Sequence, residues 1–477
     1  MRLGIILFTT MLYCLLTTSA TAKDSAQSSL SPAQLINKLK QTLPQGSEFS
    51  LVIEPINTKL KAKRLHYRHH YFAPPASTQK LLVALAATLS LKPTFTFNTT
   101  LSKIKRDLVL SFSGDPSLTR QHIRQLFSTH DLFPNKVFRG DIWLDGSIFS
   151  GYEKASGWPW DNTGVCYSAP ASSITLDRNC VQGSVYANAK VGAPIRVHIP
   201  EFQPIKVSSS AIIISKTTWL DHPCKFELTP YSNNTFSLTG CLVQRKGAFP
   251  MKFAIQNTAE YTKTAIRQEL KSLGIRWYGK IHLGKPQGSA KKIAIHRSAP
   301  LPVLIKSMLK HSDNLIADNL TKTLGYYFFQ QPGTFMNGVV AIKRILKKKG
   351  LDVSHTIMED GSGLSRSNRA TAHQFAQVIR YIIQHDKTLQ LIDALPIAGV
   401  DGTLKYRRSM NKAPFKGNIK AKTGSVLGSH NLVGTLTDKK GNQYLFVEFI
   451  SNYHKLNKSS NKSYLDFERT LLSYIYN

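Results

Sequence analysis

The chain has 477 residues, with 62 Lys and Arg against 28 Asp and Glu, a formal charge of +34 at pH 7 and five cysteines. This length exceeds what one hydrophobic core organises, so two or three domains are expected. So large a positive charge inside a cell points to nucleic acid, but the first residues direct the chain out of the cytosol and exclude that partner.

Those residues, Met1-Arg2-Leu3-Gly4-Ile5-Ile6-Leu7-Phe8, continue as an apolar segment to Leu16 and finish with Ala20-Thr21-Ala22, a small-x-small cleavage site. Residues 1–22 therefore read as a cleaved secretory signal peptide and not a membrane anchor. Cys14 lacks the small residues that precede a lipidated cysteine, and no later segment is long and apolar enough to span a bilayer. A basic surface on an exported chain suits peripheral association with a polyanionic envelope, or serves solubility alone.

Residues 23–93 read as the first part of one domain: a helix from about Ser31, a strand over Phe49 to Ile53, a basic second strand and a second helix. His66, His69 and His70 lie on the basic strand with no cysteine or carboxylate close in sequence, and read as surface histidines with no metal. The second helix is entered from Pro74-Pro75 and carries Ser77 and Lys80, one turn apart among Leu, Val and Ala. A lysine desolvated by such neighbours loses its charge readily and can take a hydroxyl proton, which makes a serine acyl-transfer centre conceivable. S-x-x-K spacing also occurs at Ser102, Ser289, Ser307, Ser409 and Ser459, so the pair alone decides nothing.

Residues 94–261 change to short alternating or β-branched runs, among them Leu108 to Phe112, Ile142 to Leu144, Ile195 to Ile199, Ala211 to Ile214 and Phe236 to Leu238. This stretch reads as an inserted, mostly β unit. It holds Cys166, Cys180, Cys224 and Cys241; three connectivities are open, and the short loops favour Cys166 with Cys180 and Cys224 with Cys241 over a zinc site.

Residues 262–477 return to helical periodicity over Thr264 to Leu273, Leu301 to Leu309, Ile316 to Leu324, Gly338 to Lys348 and Ala372 to His385. Two strands, Leu432 to Leu436 and Tyr444 to Phe449, precede a terminal helix whose Tyr464, Phe467, Leu471, Leu472 and Ile475 form one stripe, expected to pack on a sheet. The order predicts an α/β domain assembled from both ends of the chain. Ser312-Asp313-Asn314 lies between two of these helices, and Lys422-Thr423-Gly424, the one K-T-G in the chain, precedes Ser425.

The order S-x-x-K, S-D-N, K-T-G resembles the penicillin-recognising serine acyl transferases. Gly157-Trp158-Pro159-Trp160, Ser168-Ala169-Pro170, Asp177-Arg178-Asn179-Cys180, Asp360-Gly361-Ser362-Gly363-Leu364-Ser365-Arg366, Leu395-Pro396 and Asp401-Gly402-Thr403-Leu404 narrow the resemblance to the penicillin-binding protein 4 family, the low-molecular-mass class C proteins of peptidase family S13. It covers the chain from about Ser31 to the C-terminus. The resemblance implies a transpeptidase domain like that of the penicillin-binding proteins and serine β-lactamases, a five-stranded sheet flanked by helices, with one or two further domains inserted.

It also implies a periplasmic D-Ala-D-Ala carboxypeptidase and DD-endopeptidase, secreted across the inner membrane, acting on peptidoglycan stem peptides and cross-links, covalently inhibited by β-lactams, without cofactor or metal. Ser77 would be the nucleophile, Lys80 the base, Ser312 the relay to the leaving amine and Asn314 a ligand of substrate and Lys80. Lys422 and Thr423 would hold the terminal carboxylate. Gly424 would let the strand approach the substrate, and the N–H groups of Ser77 and Ser425 would form the oxyanion hole. The positions that read diaminopimelate correspond to Tyr167, Arg366 and Asn162, where the family carries an acid; Asp161 stands immediately before it. A β-lactamase and a wall-binding scaffold are the competing readings, and the oligomeric state is left open.

Overall fold

The computed structural model describes residues 30–60, 62–129, 132–454 and 462–477; the expected signal peptide and Cys14 lie outside them. The strand Glu48–Pro55 pairs with Leu65–Tyr67 on one side and Gln443–Ser451 on the other, followed by Ser429–Thr437 and Ile419–Val426, in one antiparallel five-stranded sheet. An N-terminal strand thus lies beside C-terminal ones, as the element order predicts.

Period-two alternation sorts these strands onto two faces. Leu51, Ile53, Leu432, Leu436, Phe446 and Ile450 pack with Leu35 and Leu39 of the helix Pro32–Thr42 and with Phe467, Leu471, Leu472 and Ile475 of the terminal helix Tyr464–Tyr476. Val52, Val433, Leu445, Val447 and Phe449 face the other way, onto the helices Lys80–Ser90, Leu301–His311, Asn314–Phe329, Phe335–Lys347 and Ala372–Gln384. Lys80–Ser90 is apolar all round and buried from Lys80 to Ala87, as suits a helix at the centre of a domain.

Under the terminal helix lies a buried ion pair. The Arg407 guanidinium grips Glu468, which is fully buried and also accepts from Ser409 Oγ. Glu448, wholly buried in the strand Gln443–Ser451, is pushed well above the usual carboxylate range, first by burial and then by Glu468. Arg407→Met removes the one cation of this group and leaves Glu468 charged in the interior. A loss of about 3–5 kcal/mol is expected, read as an earlier urea unfolding transition.

The inserted region has its own core. A mixed sheet runs Ile281–Leu283, Ile142–Asp145, Asp107–Ser111, Asn98–Ile104, Lys291–Arg297. Smaller sheets carry the remaining strands, and Cys166–Cys180 and Cys224–Cys241 are bonded, with Cα separations of 5.4 and 6.0 Å. The boundary expected at 262 falls too early. Tyr261, Ala265, Ile266 and Leu270 of the helix Thr258–Ser272 pack into the inserted core, and Ile281–Leu283 and Lys291–Arg297 form both edges of its sheet. The chain rejoins the other unit only after Arg297. Periodicity shows that a helix forms and says nothing about which core its stripe faces.

Candidate active site

Ser77 sits in a short 3-10 turn, Ala76–Gln79, that leads straight into the helix starting at Lys80. Ala76 has a φ of 48°, a left-handed conformation unusual for a residue with a Cβ. The turn is held from three sides. Asn431 donates to Pro74 O at 2.8 Å, Gln79 Nε2 donates to Asp360 O at 2.6 Å, and Thr78 Oγ1 donates to Pro75 O at 2.6 Å. Gly363 completes the cradle. It has a φ of 79°, and a Cβ there would stand 1.9 Å from Ala76 O, so no other residue fits without moving the Ser77 turn.

Lys80 is fully buried and its Nζ donates to Ser77 Oγ at 2.9 Å, Asn314 Oδ1 at 2.7 Å and Ser362 O at 2.6 Å. Burial lowers its pKa to about 8, opposed by the carboxylates of Asp318, Asp360 and Asp313. Asp318 is pushed up to about 8, chiefly by burial and then by Asp360, while Lys80 pulls the other way. Burial thus makes the Lys80 proton easier to lose than that of an ordinary lysine, with its Nζ against a hydroxyl.

Ser312 is the left-handed C-cap of Leu301–His311, with φ 57° and ψ 42°. Two residues on, Asn314 begins the next helix, so this tight corner projects both side chains into one cavity. Lys422 Nζ donates to Ser312 Oγ at 2.9 Å and to Thr423 O at 2.8 Å. Burial holds Lys422 well below the ordinary lysine range, with the charges of Lys80 and Arg407 acting in the same direction. The motif segments at 77–80, 312–314 and 422 thus meet through Lys80–Ser77, Lys80–Asn314 and Lys422–Ser312 contacts.

A cavity of about 320 Å³ opens beside them, lined by Ser77, Ser312, Asn314, Gly363 and Ser425, with Asn162, Tyr167 and Arg366 among its rim residues. Lys422 and Thr423, expected against a substrate carboxylate, do not line it. Lys422 is completely buried beneath Ser312, and Thr423 Oγ1 donates to Thr403 Oγ1 at 2.9 Å. Gly424 also has another task than approach to substrate: a Cβ there would lie 2.7 Å from Pro75 O and 3.1 Å from Thr78 N, so its absence lets the strand close on the turn that carries Ser77. The K-T-G lies within the edge strand Ile419–Val426. Ser425 Oγ meets His430 Nδ1 at 3.3 Å, and burial, then Arg407, lowers His430 to a pKa of about 4, so the ring is neutral.

The inserted region supplies the outer wall. Asn314 Nδ2 donates to Tyr167 O at 2.7 Å, Arg178 pairs with Asp313, and Trp158 Nε1 donates to Asp360 Oδ2 at 2.8 Å. Tyr167 follows the disulfide-bonded Cys166 directly. Its hydroxyl is raised above the usual range, first by burial and then by Asp161, with Arg366 opposing. Asp161 itself does not line the cavity and accepts from Asn162 Nδ2 at 3.4 Å.

Reading motifs alone missed the most connected residue. Asp360 is fully buried and accepts from Gly363 N at 2.8 Å, Ser365 N at 2.7 Å, Asn368 Nδ2 at 2.9 Å, Trp158 and Gln79. It joins the Ser77 turn, the loop over Lys80 and the inserted region. A buried aspartate in a Gly-Ser-Gly loop is the signal that marks it, because a carboxylate there must be satisfied by many donors.

The D-Ala-D-Ala carboxypeptidase 3 (S13) family profile matches residues 33–469. The chain is 34% identical over 453 residues to D-alanyl-D-alanine carboxypeptidase DacB of Haemophilus influenzae, covering 92% of this chain and 94% of that one. A D-alanyl-D-alanine carboxypeptidase of Actinomadura sp. (strain R39) is 26% identical over 407 residues, 80% of this chain and 73% of that protein. The crystal structure of penicillin binding protein 4 (dacB) from H. influenzae superposes with a TM-score of 0.85 at 35% identity, over 92% of this chain and 99% of the other. Its complex with a β-lactam gives 0.80 at 34% identity, with the same coverage. A family-wide match, a relative aligned nearly end to end and a shared fold lead to one conclusion: this chain belongs to the S13 family of D-Ala-D-Ala carboxypeptidases.

Proposed function

We propose that the chain is a periplasmic serine D-Ala-D-Ala carboxypeptidase that also hydrolyses DD-cross-links of peptidoglycan through an acyl-enzyme on Ser77. The observation that carries this reading is the buried Lys80 Nζ, in contact at once with Ser77 Oγ and Asn314 Oδ1. Neutral Lys80 takes the Ser77 proton as Oγ attacks the carbonyl of the penultimate D-alanine. The N–H groups of Ser77 and Ser425 receive the oxyanion, an arrangement in which one lost donor costs about two to three orders of magnitude in rate. Ser312, backed by Lys422, passes a proton to the departing amine, and water then hydrolyses the ester. In a carboxypeptidase turnover that amine belongs to D-alanine, and in an endopeptidase turnover to the diaminopimelate of a neighbouring stem.

Incubation with fluorescent penicillin and with cross-linked muropeptides tests this. A stable label, D-alanine release and monomeric products are expected; no label refutes an acyl-enzyme, and rapid loss of label indicates a β-lactamase. Recovery of the chain in the periplasmic fraction tests the exported location.

Tyr167, Arg366 and Asn162, with Asp161 behind it, stand at the cavity rim, where the side chain preceding the D-alanines would lie. Arg366→Ala is expected to lower kcat/KM about 10- to 100-fold on peptides with a free diaminopimelate carboxylate, the scale of one charged hydrogen bond. Penicillin acylation should stay within about threefold, since that ligand lacks the carboxylate in question. Equal losses on both substrates would remove Arg366 from side-chain recognition.

A further inference from the structure

The strand Leu65–Tyr67 carries only His66 of the three histidines expected on it; His69 and His70 lie in the turn that follows, and the fold adds a fourth histidine from far along the chain. The short strand Phe72–Ala73 pairs antiparallel with Ala370–Thr371, with Ala73 opposite Ala370 and Phe72 opposite Thr371. Just beyond this pair the chain enters the helix Ala372–Gln384, and His373 N donates to His69 O at 2.8 Å. The rings are close: centroids lie 4.1 Å apart for His69 and His70, 4.6 Å for His70 and His373 and 5.5 Å for His69 and His373. One ring nitrogen from each of the three comes within 4.8 Å of the other two.

We propose that His69, His70 and His373 form a binding site for a divalent transition-metal ion, with zinc as the best match. Three imidazoles and an open position suit four-coordinate zinc at about 2.0–2.1 Å per bond. The nitrogens must close from 4.8 Å to about 3.4 Å, which rotation of half-exposed side chains supplies. Ligation needs neutral rings. Burial, then the neighbouring histidines, lowers His69 and His373 from the ordinary histidine range, the direction that favours this form.

A supporting shell is also present. His66 lies 4.9 Å from His69, centroid to centroid, and its Nε2 meets Glu54 Oε1 at 2.7 Å, while His373 Nε2 meets Gln377 Nε2 at 3.2 Å. Glu54 also pairs with Arg380 and holds His66 beside the cluster, while Gln377 is the side chain that touches a proposed ligand and can orient its ring. An all-nitrogen site excludes magnesium and calcium, which require oxygen ligands. The ion would tie the segment that runs on through Pro74 and Pro75 to Ser77 to the start of the helix Ala372–Gln384, clear of the Ser77 cavity.

Untagged protein, stripped with chelator, is titrated with zinc chloride by calorimetry and with cobalt(II) by visible absorption. One equivalent of zinc per chain is expected, with no competition from hundredfold magnesium and with the visible bands of four-coordinate cobalt. His70→Ala and His373→Ala should each weaken binding at least tenfold, and the rise in melting temperature with zinc should vanish in the double variant. Matching circular dichroism of the metal-free variants checks that they fold. Absence of stoichiometric zinc binding, or equal affinity in the folded double variant, would overturn the proposal.

Discussion

Ser77→Ala is expected to abolish covalent labelling by penicillin and to reduce D-alanine release by about three to six orders of magnitude, the range seen when a nucleophile that acts as a unit with its base is removed. The folded state should barely notice. Ser77 is partly exposed, and Lys80 keeps its bonds to Asn314 Oδ1 and Ser362 O when the hydroxyl is lost. One hydrogen bond is worth about 1 kcal/mol, so the unfolding transition should move little while the chemistry disappears. Mass spectrometry of the penicillin-treated protein reads the first effect and urea unfolding the second. A variant that still acquires one β-lactam per chain would place the nucleophile elsewhere.

The rate of acylation should rise with pH and level off around the pKa of Lys80, about 8. The sign follows from the role. Below that value the ammonium cannot accept the Ser77 proton, so the rate falls about tenfold per pH unit; above it the amine is free and the rate is constant. Burial sets this value by penalising the charged form, and Asp318, Asp360 and Asp313 keep it from falling further. Because Lys80 and Asp318 interact strongly, the observed midpoint belongs to the pair. Lys80→Met should cost about two to four orders of magnitude, the usual contribution of a positioned base, and should erase this limb of the profile. Stopped-flow penicillin acylation from pH 6 to 9.5 measures both, and a flat wild-type profile would remove Lys80 from the base role.

Much of the catalytic unit is legible in the sequence because its signals are local. Apolar stripes in Leu301–His311 and Ala372–Gln384, and alternation in Glu48–Pro55 and Gln443–Ser451, depend on spacing within a few residues. The edge strand Ile419–Val426 escaped notice because Lys420, Lys422 and Gly424 break its apolar pattern. Lys422 is nonetheless completely buried, satisfied by Ser312 Oγ and Thr423 O. The helix Thr258–Ser272 was read as a helix and assigned to the wrong unit. Its stripe is equally suited to either core, and only pairing of the following strands with Asn98–Ile104 and Ile142–Asp145 fixes its side.

Sequence by itself determined the chemistry on offer: three ordered motifs with a serine, a lysine, a second serine and an amide, in a chain with paired cysteines. Tertiary structure alone decided how those groups are charged and what they can touch. Lys80 loses its proton readily because it is enclosed by distant segments, Lys422 reaches the cavity through Ser312, and Gly424 serves the nucleophile turn. Asp360 becomes a junction, and His373 joins His69 and His70, because strand pairing and packing bring residues hundreds of positions apart into contact. Spacing along a chain determines which side chains share a face; desolvation and long-range proximity arise only when faces close on one another.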